Sequence, residues 1–209
     1  MSELIRDYLD ELLNSLGGAS PPIDPSVLKS LYGRRDYAAM LGWIKNSMRL
    51  DLRVGLRIVD APEPSPPMWI ETPQPMPAYG AAGFRNARVI VNARRDALEA
   101  KSFVWVVAGF SHELSHVVLF AIGHRLQRDE KAVDLTAMIL GYPSFVGAAE
   151  IARSQGLVWS ILLAIALLPA GVLFWRGPPR KTWRLGYLTR AEAAAARDYL
   201  AQGRRPWSR

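Results

Sequence analysis

The chain has 209 residues, no cysteine, and 26 Lys and Arg against 19 Asp and Glu, for a net charge of +7. That length suffices for one domain with a real core, or for a small domain with an appendage, and the lack of cysteine excludes a disulfide framework and a four-cysteine zinc site. No phosphate loop of the G-x-x-x-x-G-K-S/T type and no zinc-finger spacing occurs, so nucleotide hydrolysis and sequence-specific DNA reading are not expected.

Residues 2 to 16 mix charged side chains with Leu4, Ile5, Leu9, Leu12 and Leu13 as an amphipathic helix does, and they do not read as a secretory signal. The N-terminal part is therefore expected to begin in the cytoplasm. A second helix is expected over about 25 to 48, with Asp24 as N-cap and Pro25 at the first helical position. Strands are expected over 52 to 59, where Leu52, Val54, Leu56 and Ile58 alternate, and over 87 to 92, around Val89-Ile90-Val91. Between them, residues 61 to 82 hold seven prolines and no regular period. They predict a surface loop of polyproline-like conformation, with a lid or substrate-facing loop as the alternative. These elements make an α+β scaffold.

The stretch from Phe103 to Ile122 is apolar enough to be buried in a core or a membrane, yet it carries His112-Glu113-Leu114-Ser115-His116. On a helix, residues i and i+4 share a face, so both imidazoles can converge on one Zn²⁺ with Glu113 beside it. A five-residue pattern also arises by chance. Here, however, all three histidines of the chain, His112, His116 and His124, fall within thirteen residues. Burying two imidazoles and a carboxylate without partners costs several kcal/mol, roughly, and coordination to a cation removes that cost. The first reading is a zinc hydrolase.

A catalytic zinc needs a third protein ligand and a free position for water. The next segment, Asp129 to Leu140, has the apolar spacing of a second buried helix and carries Glu130 and Asp134 as an E-x-x-x-D pair. Glu130 is placed to reach the metal, and Asp134, one turn later, to accept the free ring N–H of a ligating histidine. Asp134 and His124 remain as substitutes for the third ligand.

This pairing of H-E-x-x-H on one helix with E-x-x-x-D on the next resembles the gluzincin group of zinc metallopeptidases. The resemblance implies a zincin-like minimal metallopeptidase domain, helix-rich with a small sheet. It makes His112, His116 and Glu130 the zinc ligands, Glu113 the general base, and Asp134 the partner that orients a ligand. Val133 to Gly141, with Leu185-Gly186-Tyr187-Leu188-Thr189 and Glu192, also resembles a small, poorly characterised bacterial metallopeptidase-like family. The resemblance covers about half the chain; thirteen residues separate His116 from Glu130, fewer than in the best-known gluzincins. In such a site zinc acidifies water and polarises the scissile carbonyl, and Glu113 carries the proton to the leaving amine. Tyr142, Tyr187 and His124 are the candidates for stabilising the oxyanion. The strand over 87 to 92 is expected either as an edge that pairs with an extended peptide or as an ordinary strand beneath the active-site helix.

Leu157 to Trp175 contains no charge over nineteen residues, enough to span about 28 Å as a helix. Trp159 and Trp175 mark its ends, Pro169 would kink it, and Arg176, Arg180, Lys181, Arg184, Arg190, Arg197, Arg204, Arg205 and Arg209 follow. That arrangement predicts a membrane-spanning or membrane-embedded helix rather than nucleic-acid binding. A single span cannot place both the N-terminal domain and the basic tail in the cytoplasm. Two spans including 103 to 122, a hairpin broken near Pro169, or a buried core helix would each resolve this. Thr189 with Glu192 has capping-box spacing for a final alanine-rich helix, read as packing rather than chemistry.

The organisation expected is thus a metallopeptidase domain over 1–150, a hydrophobic membrane-associated segment over 151–176 and a basic tail with a short helix over 177–209. The function expected is a membrane-associated zinc metallopeptidase acting on a protein or peptide, its catalytic domain in the cytoplasm. The alternatives are a non-catalytic, zinc-stabilised or degenerate peptidase acting as a binding module, an intramembrane site-two-like protease, and a membrane-anchored adaptor in which the motif is incidental.

Overall fold

Four apolar side chains at helical spacing, Ile5, Leu9, Leu12 and Leu16, give helix α1 (Glu3–Leu16) one buried stripe. Each fully buried side chain of this size contributes about 1.5–3 kcal/mol, and that burial, more than helix propensity, holds α1 in place. Ser2 caps the helix by accepting the Ile5 amide. The computed structural model describes residues 1–60, 65–147 and 187–203. The apolar run 157–175 and most of the basic residues after it lie outside the described residues.

The single helix expected over 25 to 48 is two helices, α2 (Ser26–Gly33) and α3 (Tyr37–Ser47). Arg35 between them takes a φ of 57°, and Asp36 caps α3 by accepting the Ala39 amide. The break has a local cause: Gly33 ends one helix and an aspartate three residues later starts the next. At the start of α2 the cap position is Pro25, while Asp24 accepts both the amide (3.0 Å) and the hydroxyl (2.7 Å) of Ser26.

Strands β1 (Arg53–Val59), β2 (Met68–Glu71) and β3 (Arg88–Arg94) form a three-stranded sheet in the order β1-β3-β2. β1 is parallel to β3, and β2 is antiparallel to it. Met68, Val89, Val91 and Ala93 are buried in the core. Two expectations are corrected here. The proline-rich stretch is not loop throughout, because Met68 to Glu71 pairs with β3 as an edge strand, a position that tolerates neighbouring prolines. Strand β3 is central, with both of its edges occupied, so it cannot offer an edge to a peptide; it is the ordinary sheet strand of the alternative reading.

Four further helices complete the described fold: α4 (Arg95–Ala100), α5 (Phe103–Ala121), α6 (Glu130–Ile139) and α7 (Arg190–Gln202). With seven described helices and one small sheet, the protein is α+β. Helix α5 is long and apolar enough to cross a membrane, and 78% of that stretch is buried inside the protein itself. It lies against α2, α3, α6 and β2, as a core helix does. Helix α7 opens with the expected Thr189–Glu192 capping box. Its Ala193, Ala196 and Leu200 belong to the main core, so the terminal helix set apart in sequence as a tail is packed against α1 and α6.

Residues after α1 run beside the end of α6: the Ser20 amide donates to Ile139 O at 2.8 Å and the Ile23 amide to Gly141 O at 3.0 Å. Gly141 has a φ of +106°, and a Cβ there would lie 2.9 Å from the carbonyl oxygen of Pro21. Strain and backbone clash then act together. Gly141→Ala is expected to lower stability by about 1–3 kcal/mol, measured by urea denaturation; an unchanged midpoint would contradict this close approach.

Candidate metal centre

Helix α5 buries four polar side chains, and only two of them are satisfied within the helix. Ser111 donates to Ala108 O and Ser115 to Ser111 O, the back-bonding usual for serine in a helix. His112 and Glu113 are each only 6% exposed and need partners from elsewhere. His116 follows one turn after His112, the ring centroids 5.1 Å apart.

The partners of His112 come from α6. Asp129 caps it by accepting the Lys131 and Ala132 amides, and its other carboxylate oxygen accepts the Tyr8 hydroxyl at 2.9 Å. The start of α6 is thereby tied to α1, and Glu130, its first residue, is held facing α5. Glu130 Oε2 lies 3.1 Å from His112 Nε2 and 3.5 Å from His116 Nε2. Ligand atoms of His112, His116 and Glu130 all fall within 4.8 Å of one another. Bonds of about 2.0–2.1 Å in a tetrahedron separate ligand atoms by about 3.3 Å, and 3.1 and 3.5 Å bracket that value.

The donor set fits a cation. Asp134 Oδ1 accepts the Nδ1–H of His112 at 2.8 Å, which leaves the His112 Nε2 lone pair facing a carboxylate oxygen. Two acceptors at that distance require a positive charge between them, either a proton or a metal ion. Burial by itself penalises a charged His112, but the hydrogen bonds to Asp134 and then Glu130 outweigh it and raise its pKa. The same contacts to His112 and His116 hold the Glu130 carboxyl well below its ordinary range. His116 Nδ1 is buried with no hydrogen-bond partner among the described residues, so the polar contact of this ring is directed at Glu130.

Glu113 lies beside this group without joining it. No described residue hydrogen-bonds its carboxylate. Burial raises its pKa, the two histidines lower it, and Glu130 raises it again, with a net upward shift. Asp134, 2% exposed, uses both oxygens: Oδ2 accepts the Tyr187 amide at 2.6 Å and the Leu188 amide at 3.1 Å. An aspartate so occupied orients His112 and is not placed as a substitute ligand.

Of the three candidates for an oxyanion donor, one is at the site. The Tyr187 ring stacks on His112 with centroids 6.0 Å apart. Tyr142 is fully buried against the Ser47 hydroxyl. His124 accepts the Leu126 amide on Nδ1 and has Glu11 3.5 Å from Nε2, so it serves packing and is not a ligand here. A groove of about 660 Å³ lined by Ile23, Met138, Leu140, Arg49 and Arg197 shares no residue with the metal-ligating group. The two backbone donors on Asp134 carry no residue-type signal and could not be read from sequence.

Set against protein-family models, curated proteins and solved structures, the chain matches none. The site therefore rests on its own chemistry.

Burial lowers the His124 pKa, Glu11 partly restores it, and Arg125 lowers it further, with a net downward shift. The unfolded chain then takes up this proton first as pH falls, so folding stability is lost on acidification below about 6.5. The stability of the wild type relative to His124→Gln is expected to be greater at pH 7 than at pH 5, read from denaturation midpoints. An advantage that grows on acidification would contradict the neutral, buried state of His124.

Proposed function

We propose that the protein is a zinc-dependent metallopeptidase of the gluzincin type, with a zincin-like fold, hydrolysing peptide bonds of a protein or peptide substrate. The observation that carries this reading is Glu113: a buried carboxylate with no hydrogen-bonding neighbour among the described residues, placed beside two histidines and a glutamate that fit one metal ion. A site that held metal only for structure would have no need of a buried carboxylate beside it. This favours an enzyme over a zinc-stabilised binding module.

In this reading His112, His116 and Glu130 hold the zinc. When bound, the ion supplies an acidified water and a Lewis acid for the scissile carbonyl. Glu113 takes the proton released as the water oxygen attacks the carbonyl carbon, and returns it to the departing amine as the C–N bond breaks. Asp134 fixes the tautomer of His112, so that Nε2 points at the metal position. Tyr187, stacked on His112, is the side chain assigned to the developing oxyanion.

Membrane association is assigned to 157–175 on its sequence, with the catalytic domain in the cytoplasm. Helix α5 is covered by its own domain, which favours this arrangement over an intramembrane active site.

About one zinc per chain is expected by elemental analysis of detergent-purified protein, lost in His116→Ala and Glu130→Ala and only weakened in Asp134→Ala. Glu113→Gln should keep the metal and lose peptide hydrolysis by about 10²–10⁴-fold, measured on a peptide library with and without chelator. Tyr187→Phe should keep the metal and lower kcat more than it changes KM. Zinc uptake with no hydrolysis that depends on Glu113 would return the protein to the binding-module reading.

A further inference from the structure

Asp134 is held from two sides, and the second side belongs to a distant part of the chain. One oxygen orients His112, at 2.8 Å; the other accepts the consecutive amides of Tyr187 and Leu188, at 2.6 and 3.1 Å. A buried carboxylate that accepts two backbone N–H groups is fixed in position. The same short segment is fastened to α6 again: Glu192 closes the capping box with Thr189 and meets Lys131 Nζ at 2.7 Å. Lys131 directly follows the ligand Glu130. Leu188, 4% exposed, anchors the segment in the core, and the Tyr187 ring covers His112.

We propose that residues 187–192 are a positioning clamp, whose backbone donors set the orientation of His112 through Asp134 and thereby tune metal affinity. The inference rests on the metal-centre reading above and adds a dependence of that centre on a segment more than fifty residues downstream of α5. Tyr187 and Leu188 act here through their amides, as positioning groups. Any event that lifts 187–192 from α6 weakens the metal site without touching a ligand.

The coupling must be reciprocal. If an open clamp binds zinc tenfold more weakly, saturating zinc suppresses opening by the same factor. Amide exchange at Tyr187 and Leu188 in the full-length protein, followed by NMR, should therefore slow about tenfold with zinc, the cost typical of losing a partner that orients a ligand. The Ala39 amide, held by Asp36 in the α2–α3 turn, should keep its rate. In parallel, Leu188→Pro removes one donor, whereas Leu188→Ala keeps the donor and removes apolar packing. Zinc affinity, from competition with a chelator, should fall about tenfold in the first and stay within about twofold in the second.

If zinc binds the wild type and leaves both amide rates unchanged, the clamp is refuted while the metal centre stands. Equal loss of affinity in the two Leu188 variants refutes it too, since that would mark a general packing effect. Should Leu188→Pro fail to fold, the exchange rates of the wild type decide the question. A wild type that takes up no zinc overturns the metal centre, and the clamp with it.

Discussion

Helix α5 is too apolar to lie at a surface, and it takes His112 and Glu113 into the core with it, with His116 partly buried one turn on. Water solvates buried groups poorly there, so the surrounding structure has to supply partners or leave a cost of several kcal/mol, roughly, for an ionised one. Much of the arrangement of the domain around α5 follows from that constraint. Helix α6 presents Glu130 and Asp134 to α5, α1 fixes the start of α6 through the Tyr8–Asp129 contact, and the segment after residue 186 returns to saturate Asp134.

The partners are distributed unevenly, and the unevenness is chemically informative. His112 is satisfied at both ring nitrogens, His116 at one, and Glu113 receives no hydrogen bond from a described residue. A purely structural polar network in a core tends toward complete satisfaction, because half-satisfied groups are destabilising. At His116 the unpartnered atom is Nδ1, on the side of the ring away from Glu130, whereas the Nε2 atoms of both histidines converge on Glu130 Oε2. A cation at that convergence would supply the positive charge that the facing lone pairs require, which a network of neutral packed side chains does not.

Much of this was legible in the sequence because it is local. The i, i+4 spacing of His112 and His116, the one-turn spacing of Glu130 and Asp134, the amphipathic stripe of α1 and the Thr189–Glu192 capping box each depend on residues within a turn or two of one another. The errors arose where a local signal was outweighed or misread. Gly33 and Asp36 split a helix that the apolar period ran straight through. A four-residue edge strand was hidden among prolines, and its presence made β3 central rather than an edge.

By itself the sequence determined the two helices of the site, the residue types they carry and the chemistry those types permit, because periodicity alone decides which side chains share a helical face. Only the tertiary structure decided that Glu130 rather than His124 faces the histidines, that Tyr187 rather than Tyr142 lies over His112, and that backbone amides from near the C-terminus hold Asp134. These are contacts between segments far apart in the chain. Packing selects them, since backbone donors look alike at every position and a side chain's neighbours across the core are not encoded by its own spacing.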